Sequence, residues 1–207
     1  MLQVVTIAGV VLAAGRSARM GSPKALLDFR GQPFVIRILE AFEALDLKTC
    51  VVVLGPDAPR IRALLAGHDC LVAENPDVDA GPIASLRCAL AALEPARPAA
   101  MLVWPVDLPH VRITTVERLI EVYRREHPAA VVPGFAGRRG HPVIWDAGLF
   151  AELKSSEAAT RDGARAVLHG HAADVGTVPV DDPAVCDDLD TPEDYERLIR
   201  ALNRDIY

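Results

Sequence analysis

Four short apolar runs alternate with stretches of helical spacing, and this alternation restricts the chain's fold more than any other feature. TIAGVVLA (6–13), CVVVLG (50–55), CLVAEN (70–75) and AMLVWPVD (100–107) are rich in β-formers and nearly continuous in apolar character, as strands covered on both faces are. Between the runs, Pro33–Leu47 sets Phe34, Ile38, Phe42 and Leu45 at helical intervals. Ile83–Leu93 and Val116–Tyr123 repeat the pattern. Such alternation predicts an α/β protein in three layers with a mostly parallel sheet. Thr114 with Glu117, and Thr191 and Pro192 with Asp194, mark helix starts, so the last helix is expected from about Pro192. Residues 129–145 instead read as two short strands around a Gly and Arg loop, a small β insertion near the ligand site. With 207 residues the chain is expected to form one domain over 1–207.

The charge balance narrows the partners. A net charge of −6 argues against nucleic acid or an anionic membrane as partner, because their phosphates require a basic surface. Phosphate binding must therefore be local. The stretch Val4–Gly15 has no Lys or Arg before it and reads as a buried strand rather than a leader. No run approaches the ~20 apolar residues of a bilayer span. Cys50, Cys70, Cys88 and Cys186 form no CxxC pair, which fits reduced thiols in a cytoplasmic protein.

The densest chemical signal is LAAGRSARMGSPKALL (12–27), where an apolar strand runs into a loop with Gly15, Ser17, Gly21, Arg16, Arg19 and Lys24. Glycines permit close backbone approach, successive N–H groups cradle an anion, and the cations neutralise phosphate oxygens. Residues 1–37 carry five cations against the single acid Asp28, in a chain that is acidic overall. GxxxxGK[ST] and GxGxxG are both absent, so ATPase and dehydrogenase readings lose their main support.

Asp107 ends the run MLVWPVD, at the edge of the sheet where open α/β folds gather ligands. A hard cation such as Mg²⁺ accepts one or two carboxylates and completes its shell with water and phosphate oxygens. A second carboxylate is available from DDPAVCDDLDTPED (181–194), in which Asp188 and Asp190 point to one side of an extended chain. Asp181, Asp182 and Asp187 read equally well as solvated capping acids, and Asp77 with Asp79 as loop surface. In NPDVDAGPIASLRCAL (75–90) a turn at Asn75, Pro76 and Gly81 precedes a helix bearing Ser85, a short donor and acceptor for a base edge. His141 in RRGHPV, with Arg138, Arg139, Arg161 and Arg165, are candidates for holding an anionic second substrate. Isolated arginines are more often surface charges. The remaining histidines lack zinc-like spacing with cysteine.

In order and spacing, LAAGRSARMGSPKALL, NPDVDAGPIASLRCAL, PVDLP, RRGHPVIW, RDGARAVL and DLDTPEDY resemble the molybdenum cofactor nucleotidyltransferases, the cytidylyltransferase branch most closely. The resemblance implies a Rossmann-like nucleotidyltransferase fold, a nucleoside triphosphate, Mg²⁺ and a phosphorylated acceptor of molybdopterin type. A molybdoenzyme or its chaperone is the protein partner it suggests. By position, Leu12, Ala13, Ala14 and Gly15 would cradle base and ribose, Gly81 and Ser85 would approach the base, and Asp107 and Asp190 would hold the metal. Lys24, Arg19 and Asp107 would be catalytic, with Arg139, His141 and Arg165 on the acceptor side. The family usually has Gly before the metal Asp, where this chain has Pro105 and Val106. LAAG lacks the second Gly of the guanosine branch, and a bulkier Ala14 beside the base leads to an expectation of CTP. The alternatives are a nucleotidyltransferase for a sugar phosphate or other metabolite, a DxD-type glycosyltransferase, and a decayed nucleotide-binding regulatory module.

Overall fold

The computed structural model describes residues 5–56 and 58–204. The chain runs through β1 (Ile7–Ala13), a small hairpin of β2 (Asp28–Phe29) and β3 (Gln32–Pro33), α1 (Phe34–Ala44), β4 (Cys50–Leu54), α2 (Ala58–Leu65) and β5 (Leu71–Glu74). It continues through α3 (Pro82–Leu93), β6 (Ala100–Pro105), α4 (Ile113–Glu126), β7 (Ala130–Phe135), β8 (Arg138–Arg139) and β9 (Val143–Asp146). The short helices α5 (Phe150–Ser155), α6 (Glu157–Asp162) and α7 (Arg165–Gly170), then β10 (Val175–Pro179) and α8 (Pro192–Arg204), complete it.

The main sheet has the order β10-β7-β9-β6-β1-β4-β5, with β8 paired to β7 off this path. β1 lies at its centre, parallel to both β4 and β6. β9 runs antiparallel to β6 and β7, and β10 returns parallel to β7. The strand period of two divides the core between the faces. Ile7, Val11 and Ala13 pack in the layer with α1, α2, α4 and α8, whereas Ala8 and Val10 join α3, α5, α6 and α7. This is the expected three-layer, mostly parallel α/β architecture.

Three local expectations change. The strands within 129–145 are part of the main sheet, because β9 pairs directly with β6, and β8 adds a third, two-residue strand. α4 starts at Ile113, so Thr114 lies inside its first turn rather than at the cap. The distant Asp182 does the capping: its carboxylate accepts the Arg112 N–H at 2.9 Å and the Thr115 hydroxyl at 2.7 Å. Asp182 is therefore 2 % exposed, not a solvated acid. The start of α8 is as expected, with the Asp194 N–H donating to Thr191 Oγ1 at 3.2 Å while Asp194 Oδ2 accepts the Thr191 N–H at 3.0 Å. No helix among the described residues is long and apolar enough to cross a membrane, and all four cysteines are free.

Candidate functional site

The chain leaves β1 towards β4 and β5, then returns to add β6 on β1's other side. Loops at the carboxyl ends of β1 and β6 diverge at such a switch point and leave a crevice for ligand. A cleft of about 600 Å³ occupies that position. One wall is the end of β1 and the segment after it, where Leu12, Ala13, Ala14 and Gly15 line the cleft and Arg19 and Lys24 follow. Gly81 and Ser85 form the opposite wall, and Asp107, His141, Asp188 and Asp190 the end between them.

The loop after β1 is built to hold its turn. Ser17 adopts a positive φ of 49°, and its carbonyl accepts the N–H groups of Met20 at 3.0 Å and Gly21 at 3.1 Å. Its hydroxyl accepts the Lys24 N–H at 3.0 Å, and the buried Met20 anchors the loop to the protein. Gly55, just past β4, carries no motif signal in the sequence. A Cβ there would overlap the Ala14 carbonyl oxygen, so the base of the loop rests directly on glycine backbone. Gly55→Ala should cost about 1–3 kcal/mol, the range for overpacking. Urea unfolding checks this, and wild-type stability would show that the loop yields freely.

Lys24 is the centre of the site. Its side chain is 12 % exposed, and its ammonium donates to Asp107 Oδ2 at 2.9 Å and to Asp190 Oδ1 at 2.6 Å. Burial pulls its pKa down, but the charges and hydrogen bonds of Asp107 and Asp190 outweigh that and hold it above the usual lysine value. Arg19 reaches the other oxygen of Asp190 at 2.7 Å. The hydrogen bond from Lys24, with Arg19 in support, holds the Asp190 carboxyl below the usual range. Asp188 shifts the opposite way, pushed up first by burial and then by the charge of Asp107. Two links fix the Asp107 turn: Trp104 Nε1 donates to the Leu108 carbonyl at 2.9 Å, and the Leu189 N–H donates to the Asp107 carbonyl at 3.3 Å.

These residues fit a divalent cation. Asp107 Oδ1 is buried and has no hydrogen-bond partner, a costly state for a carboxylate oxygen and one that a cation relieves. Asp188 and Asp190 bring further hard oxygen donors to the same cleft. The described residues contain no group of three metal-ligating side chains arranged to hold an ion.

On the opposite wall, Gly81 has a φ of 80° and immediately precedes α3, whose first residue is Pro82. Pro82 lacks an N–H, and the Ala84 N–H is bonded to the Gly81 carbonyl at 3.1 Å. Ser85 is buried and accepts from Asn75 Nδ2 at 3.0 Å, while Asn75 Oδ1 accepts the Asp77 N–H at 2.9 Å. Asn75 thus positions Ser85, a role its place in a turn did not reveal. Arg16 and the exposed Asp79 join the walls at the mouth, 2.7 Å apart. Asp77 caps the short turn Val78–Ala80.

The acceptor-side candidates are not brought together. His141 lines the cleft, open to solvent yet closely surrounded, and burial lowers its pKa against the opposing pull of Asp188 and Asp107. Arg139, on β8, and Arg165, opening α7, are exposed and do not line it. Arg87 is structural, its guanidinium bonded to the carbonyls of Leu153 and Ser156 and the Thr160 hydroxyl.

Residues 9–178 match the family described as MobA-like NTP transferase domain. Nicotine blue oxidoreductase of Paenarthrobacter nicotinovorans is 31% identical over 93% of this chain and 96% of its own length. The bifunctional protein GlmU of Bifidobacterium animalis is 31% identical over 60% of this chain but only 28% of its own length. The crystal structure of Rv0371c from Mycobacterium tuberculosis is 32% identical, superposes with a TM-score of 0.79, and covers 94% of this chain and 98% of its own. A complex of Rv0371c with manganese is similar at 30% identity and a TM-score of 0.72.

Proposed function

The chain belongs to the MobA-like NTP transferase family, and from that premise we propose that it transfers the nucleotidyl group of CTP to a phosphorylated acceptor of molybdopterin type, releasing pyrophosphate. The observation that carries this reading is Lys24 bridging Asp107 and Asp190 at the β1/β6 crevice. In the reaction, an acceptor phosphate oxygen bonds to the α-phosphorus as the bond to the bridging β-phosphate oxygen breaks. That nucleophile is already anionic, so the site needs no serine, cysteine or histidine base. The loop after β1 holds base and ribose, and Lys24 and Arg19 neutralise the charge that develops on the leaving pyrophosphate. Asp107 and Asp190 would hold Mg²⁺, which supplies Lewis-acid polarisation of phosphoryl oxygens. Manganese in the structure of Rv0371c supports a divalent ion of this class. His141 lies where it can meet the acceptor, whereas Arg139 and Arg165 belong to this reading only if the acceptor extends beyond the cleft. A molybdoenzyme or its chaperone would then receive the product.

The test is pyrophosphate release from a panel of nucleoside triphosphates offered with phosphorylated acceptors, including molybdopterin and sugar phosphates. Release only with sugar phosphates would retain the transferase and overturn the pterin acceptor. A second reading arises from the full-length likeness to a protein named as an oxidoreductase, since one fold hosts several chemistries. Oxidation of a nicotinamide cofactor without pyrophosphate release would favour it.

Base choice is expected to favour CTP over GTP, with only a small contribution from Ala14, which lines the cleft but is almost fully buried. Ala14 is only 4 % exposed and packs in the core layer beneath α3, so its methyl offers little surface to a base. Ala14→Gly should therefore move the CTP/GTP ratio of kcat/KM by no more than about 1 kcal/mol, the low end for one methylene in a pocket. A larger shift would restore Ala14 as the steric selector. Wild-type preference for GTP would overturn the cytidine assignment.

A further inference from the structure

A second cleft, of about 680 Å³, shares no lining residue with the first. Its walls are the β2–β3 hairpin with the start of α1, the loop from β6 to α4, and the segment from Asp182 into α8. Each wall continues into the candidate active site: the hairpin follows Lys24, His110 follows Asp107, and Asp187 precedes Asp190. In a chain of net charge −6, this cleft gathers four arginines, Arg30, Arg37, Arg112 and Arg197, against Asp182 and Asp187.

The acids are already committed. Asp182 is buried on the Arg112 N–H and the Thr115 hydroxyl, and Asp187 is held by Arg197 at 2.6 Å. Arg30 and Arg37 have no hydrogen-bond or ion-pair partner among the described residues; Arg30 is exposed, its guanidinium 5.8 Å from the centre of the Phe29 ring, and Arg37 is half-buried. A guanidinium carries five N–H donors in a fixed fork that matches the oxygens of a phosphate, and in both residues these donors are uncommitted within the described protein. The cleft wall contains a second incomplete group. His110 is 10 % exposed, and neither ring nitrogen has a hydrogen-bond partner. Its Nε2 lies 3.5 Å from Asp187 Oδ2, while Arg197 donates to the other oxygen of that carboxylate at 2.6 Å. Arg197 is shared between Asp187 at 2.6 Å and Asp194 at 2.7 Å, so an anion that engaged it would compete with both carboxylates. Phe29, Val111 and Leu198 line the cleft, though each is buried and presents little surface to a ligand.

We propose that this cleft is a second ligand site, which binds a phosphorylated small molecule through Arg30 and Arg37, with Arg197 as the third contact. It does not depend on the reaction assigned to the first cleft.

Pyrophosphate is the probe, titrated calorimetrically without metal at fixed ionic strength. Because the first cleft also attracts phosphates, the titration uses the Arg19→Ala/Lys24→Ala background. Saturable binding of one pyrophosphate per chain is expected there, weakened about tenfold or more by adding Arg30→Ala and Arg37→Ala. Arg37→Gln, checked for wild-type thermal unfolding, replaces Arg37→Ala if that variant does not fold. Orthophosphate in place of pyrophosphate separates a free-phosphate ligand from a larger phosphorylated one, and the latter is expected to bind more tightly. The proposal is overturned if the background variant binds no pyrophosphate, if the arginine changes leave binding intact, or if sulfate at equal ionic strength binds as well.

Discussion

Asp107→Ala will abolish divalent-cation-dependent release of pyrophosphate, with kcat falling at least about 10²–10³-fold, the scale for losing a group that organises transition-state charge. The residue follows the end of β6 in the crevice, and its Oδ1 has no partner within the protein. Its side chain is 23 % exposed and contributes little to the core. The turn that carries it is fixed by backbone bonds from Leu189 and by Trp104, neither of which uses the carboxylate. Circular dichroism and the melting temperature should therefore stay close to wild type while turnover disappears. A folded variant with wild-type rate removes Asp107 from the metal and from catalysis.

Lys24→Ala will produce two effects of opposite sign. Turnover should fall by about 10²–10³-fold in kcat/KM, because the lost charge is needed most as the leaving pyrophosphate becomes negative. Cation binding without nucleotide should become tighter, since the ammonium that now neutralises Asp107 and Asp190 is gone. Paramagnetic resonance of Mn²⁺ titrated into the two proteins separates these effects. Weaker Mn²⁺ binding in the variant would show that Lys24 supports the cation rather than competing with it. An unchanged kcat/KM would place Lys24 outside the reaction.

The strands were legible because burial on both faces leaves continuous apolar runs, and the register of β1 with β4 and β6 follows from that burial. β10 escaped notice: VGTVP is a short edge strand with Gly and Pro and no such run. The true cap of α4 was invisible because Asp182 lies 70 residues from the N–H it receives. Lys24, Asp107 and Asp190 could be found because each sits in a local motif with its own charge signature. Gly55 could not, since its meaning depends on the Ala14 carbonyl beside it across a strand pair. Arg139 and Arg165 show the reverse limit: their charge suggested a ligand, while the direction of β8 and α7 leaves them on the surface away from the cleft.

The ammonium of Lys24 draws together carboxylates 83 and 166 positions further along the chain. A site assembled over such separations has consequences for the order of synthesis. The loop after β1 leaves the ribosome first, Asp107 arrives near mid-chain, and Asp190 emerges only when almost the entire sequence has been made. A nascent chain arrested before that point holds half of the lysine's partners and lacks the second carboxylate. Premature termination before Asp190 therefore yields polypeptide that lacks one of the two carboxylates paired with Lys24.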